Sequence, residues 1–275
     1  MFIKNNNTLL QEKQLELNFL QFFDNLNYSI ISSPIVETYN YNELTTDDLS
    51  SMKERSVWHY NQQMYSMRYD FTDAIRKYMH QYHINPDNVC YVGPVIRKQK
   101  TLTQFGIESF QTEQQSLIFN QFNQFINQYF NPINMVVVGS YRLLDDLLTT
   151  EQLKSLKEEI KYKNVSLLSK SLGNNHPIVK LFTLPPIEQT DYLIEQFNDL
   201  YEVQRMKEWI DIFKAQNISN IYIDITQSPK FSYYHSLFFN FYQKNADLPI
   251  ATGGLYLNQS EAIGFALNPD NGVTK

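Results

Sequence analysis

Apolar residues recur at spacings of four, three and four in "TLLQEKQLELNFLQFFDNLN", where Leu15, Phe19, Phe22 and Leu26 make one stripe. That period predicts an amphipathic helix over residues 8–27. The next stretch, "YSIISSPIVETYNYNEL", predicts an extended segment, with Pro34 marking an edge or a bulge. In "MYSMRYDFTDAIRKYMHQYHI" the pattern starts as strict alternation. Ser66, Arg68, Asp70 and Thr72 would share one strand face, and Met67, Tyr69 and Phe71 the other. The pattern then turns helical, with Thr72 as the expected N-cap. Residues 89–110 predict two strands joined by a short basic loop, an antiparallel hairpin.

Residues 113–130 predict a helix, and "INMVVVGS" a short buried strand. From about 140 to 215 the pattern is mostly helical, and residues 140–205 are expected as a helical insertion. Strand signals return in "NIYIDITQ", "YYHSLFFNFYQ", "PIATGGLYLN" and "EAIGFALN". Hairpin-like strand pairs outnumber alternating strand–helix units. The expected class is therefore α+β, an antiparallel sheet flanked by helices and interrupted by a helical block, with residues 1–275 as a single domain.

Composition narrows the function classes. Hydrophobic residues make up 43% of the chain and charged residues 19%, a globular balance. The net charge of −6 argues against nucleic acid as the main partner, because phosphate binding needs clustered Lys and Arg. No apolar run reaches membrane-spanning length, and the start carries no signal-peptide core. The single cysteine, Cys90, permits no internal disulfide and suits a reducing, cytoplasmic setting; a buried inert thiol is expected there. The five histidines show no zinc spacing and are expected on the surface or in packing, so no metal and no cofactor are expected.

Five clusters carry candidate chemistry. Arg68, Asp70 and Thr72 offer a carboxylate and a hydroxyl to an ammonium group, although a solvated strand face would carry the same residues. Arg97 has the fork that suits a carboxylate or phosphate, or is an ordinary hairpin arginine. Gln104 and Glu108 flank Gly106 on one face of "QFGIE", leaving a gap for close approach by a ligand; a solvated edge with an incidental glycine is the plainer alternative. Tyr233 and Tyr234 are an amphipathic pair, and Gly253-Gly254 lacks the spacing of a dinucleotide or P-loop site.

In sequence order these pieces resemble the histidyl-tRNA synthetases. "MRYDFTDAIRKY" is similar to the segment in which that family places an Arg, an acid and a Thr before a helix. "YVGPVIRKQ" resembles the class II motif 2 strand, with Arg97 at its arginine, and "QFGIE" the family's Gln-x-Gly-x-Glu. "FSYYHSLFF" resembles its Leu-Asp-Tyr-Tyr stretch, and "TGGLY" and "AIGFALN" its Gly-Gly-Arg-Tyr turn and the start of motif 3. Pro34 falls at the proline of motif 1, a dimer element. The resemblance implies that Asp70 and Thr72 take a histidine α-ammonium and Arg97 and Gln104 its carboxylate. It gives the imidazole N–H to Glu108 and the ring pocket to Tyr233 and Tyr234.

The departures shape the expectation. Pro229, Leu255 and the stretch "FALNPDNG" stand where that family carries arginines. The motif 2 loop shrinks to residues 98–103, Gln99 replaces its glutamate, and no anticodon-binding domain is expected after residue 275. Three fixed cations are missing from chemistry that must stabilise a pentavalent phosphorus. This combination is similar to the regulatory subunits of ATP phosphoribosyltransferase. For this chain it implies no catalysis, a short-form catalytic subunit as partner, self-association as a dimer through the motif 1-like region, and L-histidine as effector. A truncated synthetase-like enzyme that activates an amino acid with ATP is the alternative.

Overall fold

The computed structural model describes residues 6–40, 42, 44–84, 86–227, 232–258 and 260–274. The chain forms two compact units, Met1–Asn131 with Asn258–Lys275, and Pro132–Leu257.

In the first unit, α1 (Asn6–Asp24) buries Phe19 and Phe23 completely, and both rings meet Phe125. β1 (Ser29–Ile30) and β2 (Val36–Tyr39) follow. Pro34 lies between them and outside both ladders, as a residue without an N–H should. Then come α2 (Thr46–Ser51), β3 (Val57–Tyr60) and β4 (Gln63–Met67). The order β2-β4-β3 makes a small antiparallel sheet that the sequence did not announce. Its hairpin closes through Asn61 and Gln62, both left-handed with φ of 48° and 62°, the two-residue turn that matches strand twist.

Alternation does not continue to Thr72. β4 ends at Met67, and α3 (Phe71–Tyr82) starts with Asp70 as its N-cap, Oδ1 accepting the Asp73 N–H at 3.3 Å. Asp70 thus takes the capping role expected of Thr72, because its carboxylate, two residues earlier, reaches the free amide of Asp73. Nor is this a solvated face: Arg68, Asp70 and Thr72 are 4%, 8% and 8% exposed. The start of α3 is pinned by a partly buried ion network. Arg55 pairs with Glu37 at 2.7 Å and Asp73 at 3.1 Å, while Lys77 reaches Asp48 and Asp73.

β5 (Asn88–Arg97) and β6 (Lys100–Ser109) form the expected hairpin. Its connection is shorter than residues 98–103. Only Lys98 and Gln99 turn, with φ of 50° and 62°, and Arg97 already pairs with Lys100. α4 (Gln115–Tyr129) packs Phe119 and Phe122 on Phe265 of β11 (Ser260–Leu267). The strand order in this unit is β1-β5-β6-β11, which makes β6 an interior strand.

In the second unit, β7 (Ile133–Ser140) leads into seven helices. These are α5 (Leu143–Leu147), α6 (Thr150–Ser155), α7 (Lys157–Lys161), α8 (Val165–Leu172), α9 (Pro177–Thr183), α10 (Pro186–Phe197) and α11 (Tyr201–Ala215). β8 (Asn220–Ile223), β9 (Tyr234–Gln243) and β10 (Ala251–Asn258) complete it, in the order β10-β9-β7-β8. Leu168, Ile178 and Val179 centre a small core among the helices. Glu202 of α11 is buried and accepts from Ser140 at 2.7 Å and Ser236 at 3.0 Å, fastening its helix to β7 and β9. Within the two units the strand pairs are not all antiparallel as expected. β1 runs parallel to β5 and β7 to β8, the latter because the helical block is long enough to carry the chain back for a parallel return.

Candidate functional site

The first unit brings Asp70, Thr72, Arg97, Gln104 and Glu108 together. Asp70 and Thr72 come from the capped start of α3, Arg97 from the last position of β5, and Gln104 and Glu108 from the same face of β6. Arg97 Nη2 donates to Asp70 Oδ2 at 2.9 Å and to Gln104 Oε1 at 3.5 Å, and its Nε donates to the Tyr69 carbonyl at 2.9 Å. Arg97 is therefore more than a hairpin arginine. Its side chain remains 32% exposed while Asp70's is 10% exposed, so the pair has one open flank. Burial raises the Asp70 carboxyl above its ordinary value, with Arg97 acting in the opposite sense.

Glu108 is 1% exposed. Its Oε1 accepts from Thr72 Oγ1 at 2.6 Å and from the Tyr91 hydroxyl at 3.1 Å. Thr72 thus points at Glu108. The gap expected at Gly106 is filled. Tyr91 is the cross-strand partner of Gly106, and a Cβ on that glycine would overlap the tyrosine ring. Gly264 of β11 pairs with Glu108, and a Cβ there would collide with the carboxylate. The solvated-edge alternative fails for the same reason: β6 is interior and both glycines make room for buried groups.

Tyr91 and Gly264 were missed in the sequence. Tyr91 sits in the apolar run "VCYVGPV" and reads as core; only the register of β5 on β6 reveals its contact with Glu108.

The second unit holds Tyr233 and Tyr234, with ring centroids 4.6 Å apart. Tyr233 also meets Tyr256 edge-on at 6.1 Å. Tyr141, another residue sequence reasoning passed over, lies 6.2 Å from Tyr234 and stacks on Phe238 at 4.6 Å; burial pushes its hydroxyl up to about 12. Leu255, which stands at a family arginine, is fully buried. Pro229 lies outside the described residues. Cys90 is buried, and desolvation pushes its thiol up to about 12. No group of three metal-ligating side chains occurs among the described residues, and no helix there is long and apolar enough to cross a membrane.

A capped helix, a motif 2-like hairpin and a buried glutamate in this order define a class II synthetase-type fold of the histidyl branch. Accordingly, the family model described as Histidyl-tRNA synthetase matches residues 6–271. Solved structures agree on the fold. An ATP phosphoribosyltransferase regulatory subunit/histidyl-tRNA synthetase from Bacillus halodurans superposes with a TM-score of 0.76 at 16% identity, covering 98% of this chain and 80% of that one. The ATP phosphoribosyl transferase (HisG:HisZ) complex from Thermotoga maritima gives 0.72 at 16% identity, covering 93% and 96%. The ATP phosphoribosyltransferase regulatory subunit of Staphylococcus epidermidis (strain ATCC 12228 / FDA PCI 1200) is 32% identical over 270 residues, 95% of this chain and 99% of that one. The chain belongs to the family of ATP phosphoribosyltransferase regulatory subunits, within the histidyl-tRNA synthetase-like group.

Proposed function

We propose that this chain is the non-catalytic partner of a short-form ATP phosphoribosyltransferase catalytic subunit, and that it binds L-histidine and transmits feedback inhibition. The observation that carries the reading is the Asp70–Arg97 pair at 2.9 Å beside the buried Glu108. A histidine zwitterion can exchange partners with that pair. Its ammonium replaces Arg97 against Asp70, and its carboxylate replaces Asp70 against Arg97 and Gln104. Each charge keeps a charged partner, so desolvation is compensated. The imidazole N–H then has Glu108 as acceptor.

The rest of the reading follows the family. The protein acts in the cytoplasm, without a cofactor and without nucleic acid, and self-associates as a dimer. A groove of about 620 Å³ beside Pro34 and α3, rimmed by the exposed Ile30, Val36, Tyr78 and Tyr82, supports self-association there. Coupling between effector and catalytic subunit is reciprocal, so histidine affinity should change when the catalytic subunit binds.

Calorimetric titration of L-histidine into the chain, alone and with the short-form catalytic subunit, tests the proposal. Saturable binding that Glu108→Ala weakens supports it, since a buried imidazole donor left unpaired costs about 1–3 kcal/mol. Absence of binding in both preparations removes the effector role. Histidine-dependent ATP–pyrophosphate exchange by the purified chain would favour the synthetase-like enzyme instead.

A further inference from the structure

The segment around Pro34 and strand β5 are bridged by Arg68, twice over. Its main-chain N–H donates to the Ile35 carbonyl at 2.8 Å, and its own carbonyl accepts from the Ile96 N–H at 2.9 Å. The side chain repeats the link. Nη1 donates to the Ser33 carbonyl at 2.6 Å and to Ser33 Oγ at 3.1 Å, while Nε and Nη2 donate to the Pro94 carbonyl at 3.0 and 2.7 Å.

A stack then leads from Arg68 to the candidate site. The guanidinium carbon lies 4.0 Å from the centre of the Phe71 ring. Phe71 stacks on Tyr91 at 4.2 Å with an interplanar angle of 15°. The Tyr91 hydroxyl donates to Glu108 at 3.1 Å. Gly93 keeps the space open, since a Cβ there would stand 2.8 Å from Arg68 Nη2 and 3.2 Å from Phe71 Cζ.

The energetics make this arrangement costly for packing alone. Arg68 is 4% exposed, and none of its hydrogen bonds among the described residues goes to a carboxylate. A buried cation held by carbonyls and a ring face is not cheap, and an apolar side chain of similar volume would fill the space with less desolvation. What the guanidinium adds is direction. Four bonds fix its plane, a plane over Phe71 fixes that ring, and Phe71 in turn limits the tilt of Tyr91.

We propose that Arg68 is a positioning residue for the effector site, setting the orientation of the Glu108 carboxylate through Phe71 and Tyr91 and tying it to the Ser33–Ile35 segment. The inference rests on the reading of Glu108 as the acceptor of the histidine ring N–H. It makes the surface around Pro34 and the effector carboxylate parts of one connected element. Spatial connection alone does not establish coupling, so the test is a double-mutant cycle.

The full-length chain is titrated with L-histidine and with 2-thiazolylalanine, whose ring has no N–H to donate. Wild type, Arg68→Lys, Tyr91→Phe and the double variant are compared, alone and with the short-form catalytic subunit. Each single change should weaken L-histidine about tenfold, the worth of one ordinary hydrogen bond, and leave 2-thiazolylalanine within about twofold. The double variant should be no weaker than about twice the worse single one, because the relay is already broken. Losses that multiply, or that fall equally on both ligands, overturn the inference and leave Arg68 as a structural residue. Gly93→Ala, which keeps Arg68 but crowds its Nη2 and Phe71, should reproduce the selective loss if Arg68→Lys proves unstable; an unselective loss there counts against the proposal. If wild type binds no histidine in either preparation, the functional reading itself fails and takes this inference with it.

Discussion

The ring of Tyr91 occupies the space that any side chain on Gly106 would need, and from there its hydroxyl reaches Glu108. A glycine in the middle of an interior strand is normally a weakness, since it adds chain entropy and packs nothing. Here it is the condition for burying a tyrosine against a carboxylate.

Gly106→Ala should therefore destabilise the fold. The added Cβ would overlap Tyr91, which is 1% exposed and stacked on Phe71. Overpacking of this kind costs about 1–3 kcal/mol. Urea unfolding would show it as a lower midpoint with an unchanged slope. A midpoint within error of wild type would mean that Tyr91 can leave the strand face freely.

Gly264→Ala should act differently. Its Cβ would meet the Glu108 carboxylate, whose Oε1 is tethered by Thr72 and Tyr91. Either that carboxylate turns or the two hydroxyl contacts break. Histidine affinity should fall by about tenfold or more, whereas Gly106→Ala perturbs the site one step further away. Equal affinity in Gly264→Ala and wild type would place the ring-binding acceptor elsewhere.

Cys90 should be silent to thiol reagents in the native state. Burial pushes its thiol up to about 12, and only the thiolate reacts. A disulfide reagent at pH 8 should label one cysteine per chain in denaturant and almost none in its absence. Rapid native labelling would show that β5 opens readily.

How much of this was legible beforehand follows from what each feature depends on. Gln104 and Glu108 could be placed on one face because strand alternation is a local rule. The helices of the second unit showed their period. What escaped was set by contacts distant in sequence. Tyr91 reads as core until β5 is laid against β6. The segments of β2 and β4 were read as extended, but β3, four residues long, and the pairing of the three strands were not, since the pairing rests on contacts between separate segments. The start of α3 was misplaced because two capping residues, Asp70 and Thr72, stand two apart, and the ion network around Asp73 that favours the earlier start is tertiary. The parallel pairs β1–β5 and β7–β8 depend on where connections return the chain, which alternation within a strand cannot say.

Asp70→Asn separates capping, charge and pH in one comparison. Asparagine caps a helix about as well as aspartate, so the start of α3 should survive. The ion pair with Arg97 is lost, and with it the acceptor proposed for the ligand's ammonium, so histidine binding should weaken strongly while the fold persists. The pH dependence of stability carries a definite sign. Burial raises the Asp70 carboxyl above its ordinary value of 3.8, so in the window between those two values the folded state binds more protons than the unfolded state. Stability contributed by Asp70 must then rise as pH falls through that window, and wild type should gain on Asp70→Asn as the solution is acidified. Urea unfolding of both proteins from pH 7 down towards pH 4 measures the difference. If wild type instead loses ground on acidification, the Arg97 pair outweighs burial, and exchange of partners with a zwitterion would have to break a stronger bond than proposed.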